Sequence, residues 1–359
     1  MHKPNWDIFC KVVDNFGDIG VCWRLAQQLH TSHGIQIRLW VDDLHVAKQL
    51  LPLLNTSLAT QVLDGIEVMH WHPYADFAEA APVVIEAFSC ELPAAYMATM
   101  QKQDSKWINL DYLSAEAWVE DFHAKPSPQH NGLVRYFYYP GFTENTGGLL
   151  GLGTQGESKT IVSQPSATLK LSLFCYPHAP ITSLFNALAA GDTSVHCYVP
   201  HTSIVKSVES YFGCDTLRVG QVVQSGMLSV EILPFLSQAD YDALLKHCDV
   251  NFVRGEDSWV RAIWAQQPFV WQPYWQEENT HVQKLDAFLN QFYTQASTEV
   301  FSSVKALHHE WANGNLYSEV WQHYLSRLAS VKSLTKSASE ALKNQPDLAS
   351  KLVIFCNKL

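Results

Sequence analysis

The segment WDIFCKVVDNFGDIGVCWRLAQQLH, residues 6–30, decides the fold. Apolar, β-prone residues run from Trp6 to Val13 and predict a buried strand. A turn carrying Asp14, Gly17, Asp18 and Gly20 follows, and over 21–30 the pattern becomes helical, with Leu25 and Leu29 four apart on one face. Strand, glycine turn and helix together open a doubly wound α/β sheet. Sheets of that kind present ligands at the carboxyl ends of their strands.

The alternation continues outward. Further strands are predicted at 35–41, 83–87 and 107–110, with a helix from Ser114 announced by Ser-Ala-Glu. Residues 141–166 are rich in Gly, Thr, Ser and Gln and lack periodicity, which reads as a linker. Strands are then predicted at 168–176, 194–199, 228–235, 250–253 and 269–272, with helices at 181–190, after Ser237 and from Asp257. Beyond Thr280 the signal is helical. The expected architecture is two α/β domains, 1–155 and 165–330, followed by a helical tail over 331–359.

Composition agrees with two domains. The chain has 359 residues, 47% of them hydrophobic and 16% charged, with 12 Trp, 14 Tyr and 17 Phe. That supports large cores and excludes a disordered chain. The net charge of −11 supplies no general attraction for a phosphate backbone, so a nucleic-acid partner is not expected. No run approaches 18 uninterrupted apolar residues, and residues 1–17 lack the pattern of a secretory leader. Eight scattered cysteines without a C-x-x-C pair fit reduced, buried thiols, so a cytoplasmic location is expected.

Three motifs resemble functional signatures without the context those signatures need. Gly151-Leu-Gly153-Thr-Gln-Gly156 spells G-x-G-x-x-G but lies in the linker, has no apolar helix after it and has Tyr176 where an acidic residue would be needed. Glu157 occupies the place of a phosphate-loop lysine and inverts the required charge. Asp240-Tyr-Asp242 spells D-x-D, yet Ser237 three residues earlier makes helix capping the better reading. His70-Trp-His72 would put two imidazoles on one strand face with no third ligand nearby, so no metal is expected.

Two loops look chemical. In the first, Asp14 and Asp18 stand four apart between a strand and a helix. Asp18 could cap a helix starting near Ile19, and Asp14 could form an Asx turn, but two carboxylates exceed what capping needs. In the second, Arg254-Gly-Glu256-Asp257-Ser258-Trp-Val-Arg261 also joins a strand to a helix. A helix start favours a phosphate, Ser258 adds a donor, and Arg254 and Arg261 add positive charge. Asp257 is placed as the N-cap, which leaves Glu256 pointing elsewhere. Such a pair of loops suits transfer from a nucleotide-diphosphate donor.

These residues also carry a family resemblance. D-N-F-G-D-I-G (14–20), L-D-Y-L-S-A-E (110–116), P-S-P-Q (126–129), G-F-T-E-N-T-G-G-L (141–149) and R-G-E-D-S (254–258) occur in an order that resembles the EarP family, the protein-arginine rhamnosyltransferases of bacterial elongation factor P. The resemblance covers roughly residues 6–290. It implies a GT-B glycosyltransferase of two Rossmann-like domains with the active cleft between them. The implied donor is dTDP-β-L-rhamnose and the implied acceptor a single arginine of elongation factor P, modified with inversion so that polyproline stretches are translated.

By motif, the implied catalytic carboxylates are Asp14, Asp18 and Glu256; the division of labour assigned here is Asp18 as base and the other two as orienting groups. Phe16 and Gly17 would line the sugar, Phe174, Tyr176 and Phe235 would hold the thymine, and Arg254, Asp257 and Ser258 would meet the diphosphate. Gln272 would lie on the edge of the next strand. No metal or other cofactor and no membrane is implied. A protonated guanidinium is a poor nucleophile, so carboxylates to orient it and take its proton are what the chemistry asks for. The rival expectations are a GT-B enzyme with another acceptor and a non-catalytic nucleotide-sugar binding protein.

Overall fold

The computed structural model describes residues 5–14, 16–72, 74–75, 77–152 and 167–359. It divides into two compact units, residues 1–155 with 342–359 and residues 156–341.

Among the described residues the first unit is built on eight strands: β1 (Asn5–Cys10), β2 (Gln36–Val41), β3 (Thr60–Leu63), β4 (Ile66–His70), β5 (Val83–Ala87), β6 (Lys106–Leu110), β7 (Lys125–Pro128) and β8 (Val134–Tyr138). Their order is β3-β4-β2-β1-β5-β6-β8-β7. The six inner strands are parallel, while β3 and β7 pair antiparallel at the edges. Strand order reverses between β1 and β5, so the loops leaving those two strands flank the switch point where such sheets bind ligands.

The period of two along β1 explains its near-total burial. Trp6, Ile8 and Cys10 enter one core, and Phe9 enters the other with Trp40, Val84 and Trp107. Asp7 is buried too. Its carboxylate accepts from Arg38 Nε at 2.6 Å and Nη2 at 2.7 Å, from Ala81 N at 3.0 Å and from the Tyr96 hydroxyl. A bidentate guanidinium and two further donors are what such a site requires.

Four helices of this unit are α1 (Phe16–His33), α2 (Leu44–Leu50), α3 (Ala94–Gln103) and α4 (Trp118–Phe122). The helix expected from Ser114 starts only at Trp118, because the Ser114 hydroxyl accepts the Glu116 N–H at 3.0 Å and closes a turn first. The strand expected through His72 ends at His70, so the two imidazoles do not share a strand face.

The expected linker also differs from the structure. Residues 141–150 form a packed loop in which Phe142, Thr146, Leu149 and Leu150 are buried. Gly147 is required there, since a Cβ would lie 2.8 Å from the Tyr139 carbonyl oxygen. Residues 153–166, which hold most of the G-x-G-x-x-G stretch and Glu157, lie outside the described residues.

Among the described residues the second unit has six strands: β9 (Leu169–Leu173), β10 (Val195–Pro200), β11 (Val222–Ser225), β12 (Leu228–Leu233), β13 (Val250–Arg254) and β14 (Phe269–Gln272). Their order is β11-β12-β10-β9-β13-β14, parallel except for β11. The order reverses between β9 and β13. Its helices are α5 (Ile181–Ala189), α6 (Val205–Phe212), α7 (Gln238–His247), α8 (Asp257–Ala265), α9 (Thr280–Phe292), α10 (Thr298–Ala312), α11 (Ser318–Leu325) and most of α12 (Leu328–Lys343). Around the core, Trp259 stacks on Trp271 at 3.6 Å and Phe252 meets Trp311 at 4.6 Å.

His308 of α10 is fully buried, with Nδ1 3.0 Å or less from the Val304 carbonyl oxygen (2.9 Å), and burial pushes its pKa down to about 4. The unfolded chain therefore takes up a proton near pH 6.5 that the folded one refuses, so stability falls as pH drops from there toward 4. A loss of about 1.6 kcal/mol between pH 6.5 and 5 is expected from this one group. Denaturant titrations at the two pH values check it, and His308→Leu is expected to shrink the difference by that amount.

The sequence places a tail over 331–359, but its last part belongs to the first unit. Helix α13 (Leu348–Lys358) sets Leu348, Ala349, Leu352 and Cys356 into the same core as Ile8, Leu25 and Ile85. Spacings of one, four and eight put those four on one helical face. Asp347 caps the helix by accepting from Ser350 N at 2.8 Å, and its other oxygen accepts from Gln28 Nε2 at 2.5 Å. Lys351 Nζ donates to the carbonyls of Thr146 at 2.8 Å and Glu144 at 3.0 Å, so this helix also fastens the 141–150 loop.

Candidate active site

Chemistry-bearing side chains gather at the carboxyl edge of each sheet. In the first unit, α1 begins at Phe16, directly after the β1 loop. Asp18 is the third residue of the helix and does not cap it. Its Oδ2 instead accepts from Val13 N and Asp14 N, each at 2.7 Å, so the carboxylate is folded back onto the loop. Asp14 forms a backbone turn, its carbonyl accepting from Gly17 N at 2.7 Å. The two acids are thereby locked together by main-chain bonds.

Asp18 is only 3% exposed, and burial raises its pKa above the usual aspartate value. The two backbone donors oppose that rise, and the charges of Asp14 and Asp42 add to it. Asp42, at the end of β2, went unremarked in the sequence reading. It accepts from Val12 N at 2.9 Å and so helps hold the acidic loop. The Asp42-Asp43 pair directly after a predicted strand was the signal that could have found it.

Gly17 fits against Asp14 because it has no side chain. A Cβ there would lie 2.9 Å from Asp14 Oδ2 and push the carboxylate aside. Alanine suits a helix better than glycine, by roughly 1 kcal/mol. Gly17→Ala is therefore expected to leave the melting temperature unchanged or slightly raised while cutting kcat/KM at least about tenfold through misplacement of Asp14. Calorimetry beside steady-state kinetics separates the two effects.

In the second unit, the loop after β9 and the loop after β13 flank the switch point. The Arg254 guanidinium is buried over two aromatic rings, 4.9 Å from the centroid of Phe174 and 4.4 Å from that of Tyr176. Phe174 also meets Tyr241 edge-on at 5.5 Å, a residue sequence reasoning passed over inside the D-x-D motif. Tyr176 stacks on His178, with centroids 5.6 Å apart. Gln272 is buried at the end of β14, and its Oε1 accepts the Tyr176 N–H at 3.0 Å. Its side chain reaches across the sheet edge to hold the loop that carries Tyr176.

Gly255 takes φ +60, which glycine allows without strain, and turns the chain into α8. Glu256, not Asp257, occupies the N-cap position. Asp257 is the first helical residue and lies 3.9 Å from Arg261 Nε one turn on. The Ser258 hydroxyl accepts from Arg254 N at 3.1 Å and donates to the Arg254 carbonyl, so its hydrogen is committed to the turn. The start of α8 carries the positive end of the helix dipole. Phe235 is half-buried two residues beyond the end of β12, on the carboxyl edge of the same sheet, since the strand stops at Leu233.

The other motifs resolve structurally. Ser237 caps α7, its hydroxyl accepting from Asp240 N at 3.2 Å and donating to Asp240 Oδ2 at 2.7 Å. Among the described residues no group of three His, Cys, Asp or Glu side chains is placed to hold a metal ion, and no helix is long and apolar enough to cross a membrane.

Comparison with known proteins gives the family of the chain. The sequence profile described as Elongation-Factor P (EF-P) rhamnosyltransferase EarP matches residues 6–357. The chain belongs to the EarP family. Protein-arginine rhamnosyltransferase of Pseudomonas putida is 42% identical over 98% of both chains, and that of Pseudomonas aeruginosa 39% identical over the same shares. A solved structure described as the basis for EarP-mediated arginine glycosylation of translation elongation factor EF-P superposes with a TM-score of 0.69 at 31% identity, covering 99% of each chain. The glycosyltransferase VinC shares the fold alone, with a TM-score of 0.53 at 10% identity over 99% of this chain and 100% of that one. As an EarP-family member the chain is a glycosyltransferase, and its two parallel-rich sheets are those of the GT-B fold.

Proposed function

We propose that this EarP-family enzyme moves L-rhamnose from dTDP-β-L-rhamnose to one arginine of elongation factor P, in the cytoplasm, with inversion at the anomeric carbon. Family membership supports the reaction class. The observation that carries the chemistry is the acidic loop, where a buried Asp18 and an Asp14 pressed against Gly17 are locked together by backbone donors.

Asp18 is the base in this reading. Burial raises its proton affinity, which suits a group that must take a proton from a guanidinium as the nitrogen bonds to carbon. Asp14 and Glu256 orient the acceptor through paired hydrogen bonds. In-line attack opposite the departing diphosphate gives inversion. Phe16 and Gly17 lie against the sugar, and Phe174, Tyr176 and Phe235 hold the thymine.

The start of α8, with Asp257 and Ser258, faces the diphosphate through its N–H groups, and Arg254, stacked over the aromatic pair, supplies positive charge. Gln272 acts by holding the Tyr176 loop. The proposed mechanism includes no metal and no cofactor beyond the sugar nucleotide.

Donor and stereochemistry are tested together by proton NMR of a preparative reaction. Rhamnosyl-arginine with the α configuration is expected from dTDP-β-L-rhamnose, with UDP- and GDP-sugars failing to compete. A β product, or equal use of another nucleotide sugar, would refute that part of the reading.

A further inference from the structure

The motif at residues 110–116 is one of three stretches of the resemblance, with 126–129 and 141–149, that take no part in the proposed transfer. It leaves β6 at the carboxyl edge of the first sheet. There Tyr112, 40% exposed, stacks on Phe88 with ring centroids 4.6 Å apart and planes 17° from parallel. Phe88 stands on the segment leaving β5, next to β1 at the switch point. Its N–H donates to the Leu110 carbonyl at 2.7 Å, which ties the two segments together.

The backbone at Phe88 is imposed. Phe88, Ser89 and Glu91 have φ of 56°, 52° and 61°, three left-handed non-glycine residues within four positions. A bulky aromatic residue holds that conformation only where its surroundings force it, and such strain gathers at ligand sites. The forcing contacts are visible. Glu91 N donates to buried Glu86 Oε1 at 3.0 Å, the Ser89 hydroxyl to Asn109 Oδ1 at 3.1 Å, and Cys90 N to the Ala87 carbonyl at 3.2 Å.

Carboxylates line the same edge. Asp111 precedes Tyr112 and accepts its N–H at 2.8 Å, while Asp14, Asp18 and Asp42 follow the neighbouring strands β1 and β2. A flat aromatic face bordered by carboxylates recognises a planar cation, and a guanidinium suits it better than an ammonium. The second unit contains an internal instance of that chemistry in Arg254 over Phe174 and Tyr176.

We propose that the Phe88–Tyr112 pair is the platform on which the acceptor arginine lays its guanidinium plane, leaving the N–H edge to the acidic loop. This rests on the arginine-transfer reading above and adds the surface that selects arginine over lysine.

Steady-state kinetics of the full chain with elongation factor P and dTDP-L-rhamnose test it. Tyr112→Ala and Tyr112→Leu are each expected to raise the acceptor KM about tenfold with the donor KM unchanged, and Tyr112→Phe to restore the wild-type value. Acceptor binding then completes a double-mutant cycle. Replacing the target arginine by alanine should weaken binding to the wild type and change little in Tyr112→Ala. An unchanged acceptor KM in Tyr112→Ala, or losses that simply add, would overturn the platform. Failure of the wild type to transfer at all would instead overturn the reaction on which it rests.

Discussion

Asp18→Asn is expected to lower kcat by about 10²–10⁴-fold, the range for loss of a general base, while donor affinity stays unchanged. The substitution tests chemistry with little change of structure. Asp18 Oδ2 accepts the N–H groups of Val13 and Asp14, and an asparagine carbonyl oxygen can accept both. What the amide loses is the ability to take a proton. Asp14→Asn should cost less, since an orienting group retains part of its hydrogen bonding.

The pH profile gives the same test without a mutation. A base must be ionised, and burial places the Asp18 pKa above the ordinary aspartate value of about 3.9. The acid limb of kcat/KM is therefore expected above that value, and it should move when Asp18 is replaced by Glu. Near-normal turnover in Asp18→Asn would remove the assignment.

Loss of α13 is expected to unfold the first unit. Leu348, Ala349, Leu352 and Cys356 fill a core also lined by α1, α2 and the sheet, so deleting 342–359 would leave that face open to water. Leu352→Ala alone should cost about 2–5 kcal/mol. The full deletion removes several such groups together with the Lys351 bonds to the 141–150 loop, a loss comparable with the whole stability of a domain, about 5–15 kcal/mol. Hydrogen exchange of β1 and α1 reads the effect directly. A deleted chain that kept protected amides in those elements would show that α13 is an appendage after all.

The legibility of this chain follows from where its information lies. β1, β5, β13 and β14 were readable because parallel strands covered on both faces are mostly apolar, even where single polar residues such as Asp7, Glu86 and Asn251 interrupt them. The two chemical loops were readable for the same reason: each follows a plain strand and carries acids and glycines beyond the needs of a turn. Glu256 and Asp257 exchanged places at the head of α8, a one-residue shift of the kind sequence alone rarely resolves.

Long-range partners were not legible. Residues 141–150 have the composition of a linker, and what fastens them is a helix two hundred positions later through Lys351. The Asp7–Arg38 pair joins residues 31 apart on neighbouring strands, and nothing local marks either. The strained turn at Phe88 is hidden similarly, because the residues forcing it, Glu86 and Asn109, lie on two different strands.

Intact-protein mass spectrometry of elongation factor P, after incubation with the wild-type enzyme, dTDP-L-rhamnose and EDTA, bears most directly on the whole reading. A gain of one deoxyhexose, localised to a single arginine by fragmentation and absent with Asp18→Asn, is expected. No gain with folded enzyme and bound donor, or transfer to another side chain, would contradict it.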